Sequence, residues 1–182
     1  ERVCPTDGLL KSALWPSTDG RQIYVFGARE DDPSRNDLYR VAVECDHPVA
    51  VTKEPGYKLG LPVEPRGSFW IYAPVSTNPF APPASGGSGA AQAGGGRGGG
   101  RGGFGPGAQT SFVVVDVRTG ASAAVTGTSP ALSADGSTLA CLVRAGDETT
   151  ILAGPPLGPA ATVKKTRDRV GAVAVSPDGS RI

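Results

Sequence analysis

The chain has 182 residues, of which 27 are glycine and 17 are proline. This content argues against a helical bundle, because both residues weaken helix interiors, and it is typical of short strands joined by turns. Eighteen basic residues stand against 17 acidic ones, which leaves a formal net charge of +1. That balance excludes a global electrostatic attraction to nucleic acid or to an anionic membrane, and no apolar run approaches the roughly 18 residues that a membrane span needs.

The ends and the cysteines give little further information. The sequence begins at Glu1 and contains no methionine, so we interpret it as a processed form or a fragment. Its three cysteines, Cys4, Cys45 and Cys141, match neither a zinc-site spacing nor a CxxC motif. Buried or idle thiols are favoured, and a Cys4–Cys45 disulfide in a secreted protein is the alternative.

One turn pattern recurs along the chain: serine, a small residue or proline, Asp-Gly, two polar residues and an apolar run. Asp-Gly between apolar runs predicts a hairpin, because glycine adopts positive φ freely and aspartate bonds its own backbone in the turn. Each copy is therefore predicted to join the first two strands of a repeating unit. The turn residues are Ser17, Asp19 and Gly20; Ser133, Asp135 and Gly136; Ser176, Pro177, Asp178 and Gly179; and, in a weaker copy with Arg66 in place of aspartate, Gly67.

The spacing of these glycines indicates the size of the unit. The intervals between successive turn glycines are 47, 69 and 43 residues, and the long interval contains an insertion of about 25 residues between Pro79 and Gln109. Without the insertion the period lies in the mid-forties, which is the length of a four-stranded propeller blade.

Strands are predicted in chain order around these turns, with a charged loop over 29–36 and a turn at 118–120. The predicted strands are 22–28, 37–43 and 49–53 in the first unit; 58–63, 68–75, 111–117 and 122–126 in the second; 130–133, 138–144, 149–153 and 161–165 in the third; and 171–176 in the fourth. The corresponding domain prediction is blade 1 at about 12–54, blade 2 at about 57–127 with a glycine-rich, disordered insertion at 85–107, blade 3 at about 129–166 and the start of blade 4 at 170–182.

These motifs resemble the TolB-like, or PD40, β-propeller repeat, whose mark is a Ser-Pro-Asp-Gly turn followed by a strand reading roughly Ile-Ala-Phe or Ile-Tyr-Phe. Residues 176–182 fit as they stand, and the turns at 17–20 and 133–136 lack only the proline. The resemblance covers nearly the whole chain. It implies an all-β propeller fragment of about three four-stranded antiparallel blades plus the start of a fourth, with the remaining blades of the same propeller as partners.

Other candidate sites have plainer interpretations. The Arg-Gly-Gly repeats of 85–107 are similar to RNA-binding RGG segments, but two arginines favour a flexible loop and no nucleic-acid partner. His47, the single histidine, precedes Pro48 in a predicted turn, and no Gly-x-Ser-x-Gly elbow is present. The acidic stretch 30–37 and the basic stretch 164–169 are interpreted as solvated loops, with a cation site and a surface for an acidic partner as the respective alternatives.

We therefore assign no catalytic, cofactor-binding or metal-binding residue, and we expect Trp15, Phe69, Trp70 and Tyr72 to pack between blades. The leading hypothesis is a non-catalytic scaffold that binds a protein or peptide. The alternative is the substrate-gating N-terminal propeller of a larger serine peptidase resembling the prolyl oligopeptidase and dipeptidyl peptidase families, with catalysis in a domain beyond this chain. The compartment is open, although the families that the chain resembles favour a periplasmic or secreted protein.

Overall fold

A computed structural model describes residues 9–17, 19–29, 31–44, 48–60, 66–75 and 111–182. Within these ranges the regular elements are β-strands, and none is a helix of the length and apolarity that a membrane crossing requires. The strands are β1 Leu9–Pro16, β2 Gln22–Arg29, β3 Asp32–Ala42, β4 Val49–Ala50, β5 Tyr57–Gly60, β6 Phe69–Val75, β7 Ser111–Asp116, β8 Ser122–Thr126, β9 Thr128–Leu132, β10 Leu139–Ala145, β11 Glu148–Gly154 and β12 Ala161–Thr166.

The strands form three four-stranded sheets in simple chain order. The first sheet is β1-β2-β3-β4, the second is β5-β6-β7-β8 and the third is β9-β10-β11-β12, and every neighbouring pair is antiparallel. Each sheet is a meander of the kind that builds a propeller blade. The all-β fold class, with three four-stranded antiparallel blades, is therefore confirmed.

Side-chain alternation gives each blade two packing faces. In β2, Tyr24 and Phe26 point toward the second blade, whereas Ile23 and Val25 point to the opposite face of the first blade. The wedge between the first two blades is filled by aromatic rings, with the Phe26 and Trp70 centroids 5.0 Å apart. The buried residues of this wedge are Tyr24, Leu38, Val51, Trp70, Tyr72, Val115 and Val117.

The second and third blades pack through the other face of β6 and β7. Ile71, Phe112 and Val114 are each no more than 2% exposed and contact Leu139 and Cys141 of β10. Phe69 packs at the margin of this cluster, and Trp15 packs at the margin of the first wedge. The four aromatic side chains expected between blades are therefore found there, two fully buried and two at the margins.

Two predictions for the first blade are wrong. The charged stretch 29–36 is not a loop, because β3 begins at Asp32. A bulge at Ala28/Arg29 accommodates the extra residues, and local pairs such as Arg29 with Asp31 at 2.8 Å satisfy the charges at the solvent-exposed end of the hairpin. The predicted edge strand over 49–53 is limited to Val49–Ala50, because the amides of Val51 and Thr52 both bond to the carbonyl of Leu38.

The predicted strand over 171–176 is also absent, although its turn is present. The backbone amide of Ser176 donates to the carbonyl of Arg181 at 2.9 Å, which closes the turn with one pair. A ladder needs further pairs, the next of which would be Val175 with Ile182, and neither residue belongs to a strand. The segment instead lies against the third blade, where Arg144 donates to the carbonyl of Val170 at 2.7 Å.

Candidate functional site

Three of the recurring turns share one hydrogen-bond pattern. We call them turn A (17–20), turn C (133–136) and turn D (176–179). In turn C, the hydroxyl of Ser133 donates to Asp135 at 2.5 Å and accepts from the amide of Thr138 at 3.0 Å. The Asp135 carboxylate also accepts from the amide of Ser137 at 2.9 Å. The equivalent bonds are present in turns A and D.

The turn carboxylates are held ionised by these bonds. The Ser176 hydroxyl and the Ser180 amide lower the pKa of Asp178 to about 2, and the corresponding serine hydroxyls lower the pKa of Asp19 and Asp135. The glycine that follows each aspartate has a positive φ, between 68° and 74°. The repeated Ser-x-Asp-Gly residues thus form the end of each hairpin.

The turns of neighbouring blades contact each other directly on one side of the molecule. The weaker copy forms turn B (66–69), a tight turn closed by two bonds between Arg66 and Phe69 at 2.8 and 2.9 Å. A Cβ atom added at Gly136 would lie 2.8 Å from the Arg66 carbonyl oxygen, so turns B and C touch through backbone. Turn C then contacts turn D through a bond from the Asp135 amide to the Pro177 carbonyl at 3.3 Å.

Turns A and B do not continue this stack. A cleft of about 680 Å³ separates them, between the first and second blades. We call it the interblade cleft. Its lining residues are Trp15, Pro16, Ser17, Asp19, Gln22, Tyr24, Arg40, Gly67, Ser68 and Arg118.

One wall of the interblade cleft is a row of side chains across the first blade. Strand register places Trp15 opposite Tyr24 and Tyr24 opposite Arg40, and directly opposed residues share one face of a sheet. Gln22 lies on the same face two residues before Tyr24. This wall therefore combines an indole, a phenol, an amide and a guanidinium.

The other wall comes from turn B and from the turn after β7. The carbonyl of Ser68 accepts from the amide of Val117 at 2.8 Å, which fixes turn B against that segment. The guanidinium of Arg40 donates to the carbonyl of Arg118 at 2.6 Å across the cleft. Arg118 itself is held by its neighbour Asp116, which accepts from its amide at 2.9 Å. The two arginines are thereby brought to one cleft from positions 78 residues apart.

Tyr24 lies in the combined field of four charges. Burial is the main cause that raises the pKa of its phenol, and Arg40, Asp19, Asp116 and Arg118 all act on it electrostatically. The hydroxyl therefore stays protonated at neutral pH as a neutral hydrogen-bonding group. Among the charged groups that line the cleft, two arginines stand against the single carboxylate of Asp19, which leaves a local charge of +1.

A buried ionic network lies elsewhere in the same blade interface. Lys58 and Asp37 form an ion pair at 2.8 Å, with side chains only 1% and 4% exposed. Thr52 and Arg35 donate to the same carboxylate at 2.7 and 2.6 Å, and the Lys58 ammonium also donates to the Glu54 carbonyl at 2.7 Å. Each ion is thus paired and hydrogen-bonded, as buried charges require.

The network continues to the second blade through Glu54. The Tyr72 hydroxyl and the Ser122 hydroxyl donate to this carboxylate at 2.8 and 3.0 Å. Burial opposes ionisation of Glu54, but these bonds and nearby backbone amides together hold its pKa below the usual value. The network joins β3, β5, β6 and β8 and positions the first blade against the second.

Several residues considered from the sequence do not meet at one place. Asp37, assigned to a solvated loop, is buried in β3. Of the basic stretch, residues 164–166 belong to the exposed strand β12, so only 167–169 form a loop. Cys141 is a buried free thiol, and burial raises its pKa. Cys4, Cys45, His47 and the insertion 85–107 lie outside the described residues.

Metal ligation has no candidate cluster in the part of the chain that the structure describes, where no three histidine, cysteine or carboxylate side chains converge. The motifs of the sequence did not indicate Tyr24, Arg40, Arg118, Gln22 or Lys58. The alternation of β2 and β3 could have indicated the cleft, because it places the polar residues Gln22 and Arg40 on the same face as the buried residues Tyr24 and Leu38.

Comparison with known proteins shows the fold. No family model matches the chain, and no curated protein matches it. One solved structure that matches is a chain from a structural and mechanistic study of two prolyl endopeptidases, with a TM-score of 0.52 and 13% identity over 96% of this chain and 25% of that chain. The fold is that of a β-propeller. The propeller resemblance predicted from the turn motifs is therefore confirmed at the level of the fold.

A second solved structure that matches is TolB from Acinetobacter baumannii. Its TM-score is 0.44, with 14% identity over 95% of this chain and 36% of that chain. This chain therefore spans about a third of the TolB chain and about a quarter of the chain from the prolyl endopeptidase study.

Proposed function

We propose that this chain is a non-catalytic propeller scaffold that binds a protein or peptide segment in the interblade cleft. The observation that supports this proposal is the break in the turn stack. Turns B, C and D touch through backbone, whereas turns A and B leave a space lined by aromatic, amide, hydroxyl and guanidinium groups. The predicted division into blades at 12–54, 57–127, 129–166 and 170–182 belongs to the same proposal.

The lining suits a peptide in two respects. Trp15 is half-buried at the margin of the aromatic wedge, so its exposed indole surface can cover an apolar side chain, and tryptophan and arginine dominate binding energy in interfaces. Gln22 and Ser68 supply an amide and a hydroxyl, which are groups that bond to peptide backbone. The volume of about 680 Å³ lies within the range of sites for small ligands and short segments.

Peptide binding tests this proposal directly. The probes are fluorescein-labelled pentapeptides Gly-Leu-Xaa-Leu-Gly with a C-terminal amide, in which Xaa is Glu, Gln or Lys. We expect a saturable rise in fluorescence anisotropy with at least one of them. Trp15→Ala should weaken the binding by about tenfold or more, because it removes the indole contact of the cleft wall.

Two further variants keep the test interpretable. Ser68→Leu fills the cleft while leaving the backbone bond from Val117 to Ser68 in place, and it should weaken binding without unfolding the blades. Leu14→Ala changes a 55% exposed neighbour of Trp15 and should leave the affinity unchanged. The proposal is overturned if no pentapeptide binds saturably, or if binding survives both cleft variants.

A second candidate is a substrate-gating propeller in a larger serine peptidase. The fold likeness to a chain from the prolyl endopeptidase study supports it, since the matched region is only 25% of that chain. The residues of this chain would then contact or filter substrate without taking part in catalysis. The sequence after Ile182 discriminates: a Gly-x-Ser-x-Gly elbow with downstream Asp and His supports gating, and a completed ring of blades with nothing after it contradicts it.

A further inference from the structure

The two arginines of the interblade cleft indicate which chemical group the cleft selects. We propose that the cleft recognises a single carboxylate on the bound segment, flanked by an apolar side chain. This inference rests on the proposed function and adds the chemistry of the ligand. Its first support is that Arg40 and Arg118 line the same cleft and are linked across it by the 2.6 Å bond.

That bond also leaves donors for a ligand. It uses one N–H of the Arg40 guanidinium, and a guanidinium has five N–H donors arranged in a planar fork that matches a carboxylate. Because the Arg118 carbonyl anchors Nη1, the Arg40 side chain is positioned before a ligand arrives, which reduces the entropy that binding costs.

The charge balance of the cleft favours one negative charge over two. Arg40 and Arg118 line the cleft together with Asp19, and the Arg118 guanidinium pairs with Asp116 at 3.6 Å. Arg40, which bonds to the backbone carbonyl of Arg118, is therefore the arginine left for a ligand anion, and a monoanion matches its single charge. A dianionic group such as a phosphate would be repelled by both carboxylates, so a carboxylate fits this field better.

The other end of the row of side chains across the first blade indicates an apolar group in the ligand. Trp15 lies two strands away from Arg40, with Tyr24 between them. Adjacent strands are about 4.8 Å apart, so the backbones of Trp15 and Arg40 are separated by roughly 10 Å. A carboxylate at one end of a short segment and an apolar side chain at the other would contact both.

The test compares probes that differ only in charge. The side-chain arm uses Gly-Leu-Glu-Leu-Gly amide against Gly-Leu-Gln-Leu-Gly amide, and the terminal arm uses the glutamine peptide with a free C-terminal carboxylate against its amide. In at least one arm the carboxylate form should bind about tenfold more tightly. The arm that shows the preference identifies whether the source is a side chain or a chain terminus.

Variants then assign the preference to the cleft. In Arg40→Gln, the dissociation constant of the neutral peptide should exceed that of the charged peptide by about twofold or less. The affinity for the glutamine amide should change little. Arg167→Gln removes one equally positive but 82% exposed charge from the third blade, and it should leave the ratio intact. Equal binding of charged and neutral peptides, or a preference that Arg40→Gln retains, overturns the carboxylate inference alone. Failure of every peptide to bind overturns the proposed function as well.

Discussion

Contacts between neighbouring turns depend on single glycines. Gly20 and Gly136 both have a positive φ, at 68° and 74°, but only Gly136 faces another blade, with an added Cβ 2.8 Å from the Arg66 carbonyl oxygen. Gly20→Ala should cost about 1–2 kcal/mol of unfolding free energy from backbone strain alone. Gly136→Ala should cost about 1–3 kcal/mol more, because turns B and C must separate.

Urea unfolding of the two alanine variants measures this difference, with Gly20→Ala as the matched control. Equal losses would mean that turns B and C are not in contact, because the strain term is common to both positions.

The carboxylates of the turns give a second residue-scale prediction. The Ser176 hydroxyl is the main cause of the low pKa of Asp178, about 2 against an ordinary value of 3.8. Ser176→Ala should therefore raise this pKa toward 3.8, as measured by NMR titration of the carboxyl carbon. Ser129→Ala, whose hydroxyl bonds to Gly171 instead, should leave it near 2. An unchanged pKa in Ser176→Ala would contradict the assigned bond.

The lowered pKa of Asp178 also predicts how the unfolding free energy depends on pH. Because the folded pKa of Asp178 lies below its unfolded value, the ionised carboxylate stabilises the folded chain at pH values above about 4. This contribution is lost as the pH falls toward 2, and Asp19 and Asp135 shift in the same direction. Unfolding free energy should accordingly decrease between pH 4 and pH 2.

At the scale of elements, the buried Lys58–Asp37 pair joins β5 to β3. Lys58→Met leaves the carboxylate buried with only Arg35 and Thr52 as partners, and we expect a loss of about 3 kcal/mol in unfolding free energy. Lys165→Met is the matched control, because its pair with Glu148 is 3.6 Å long and 60% and 43% exposed. That change should stay within about 1 kcal/mol.

Chemical denaturation of both methionine variants provides the measurement. If Lys58→Met costs no more than Lys165→Met, the ion pair does not hold the two blades together. The double variant Asp37→Leu with Lys58→Met should recover part of the loss, because it leaves no unpaired buried charge.

The elements that were predictable from the sequence are those with local signals. Strand β8 lies at 122–126 as expected, because the Arg118-Thr119-Gly120 turn precedes an alternating segment. The start of β3 was not predictable, because Asp32 to Arg35 have the composition of a loop and enter the strand only through a bulge. The Asp37–Lys58 pair was also hidden, since it is visible only once two blades are packed.

At the scale of the whole molecule, the repeat predicted the blades but not the site. The turn period indicates how many four-stranded units the chain contains, and the aromatic residues indicate what fills the wedges between them. The interblade cleft arises from a difference between copies, since turns A and B do not meet as turns B and C do. Such a difference depends on tertiary geometry, so single-turn patterns do not reveal it.

Hydrogen–deuterium exchange of the chain, with and without a saturating concentration of the peptide that binds most tightly, tests whether the interblade cleft is the binding site. We expect slower exchange in β1, β2, turn B and residues 116–120, with no change in β10, β11 and β12. Protection confined to the third blade, or equal exchange throughout at saturation, would contradict binding in the cleft.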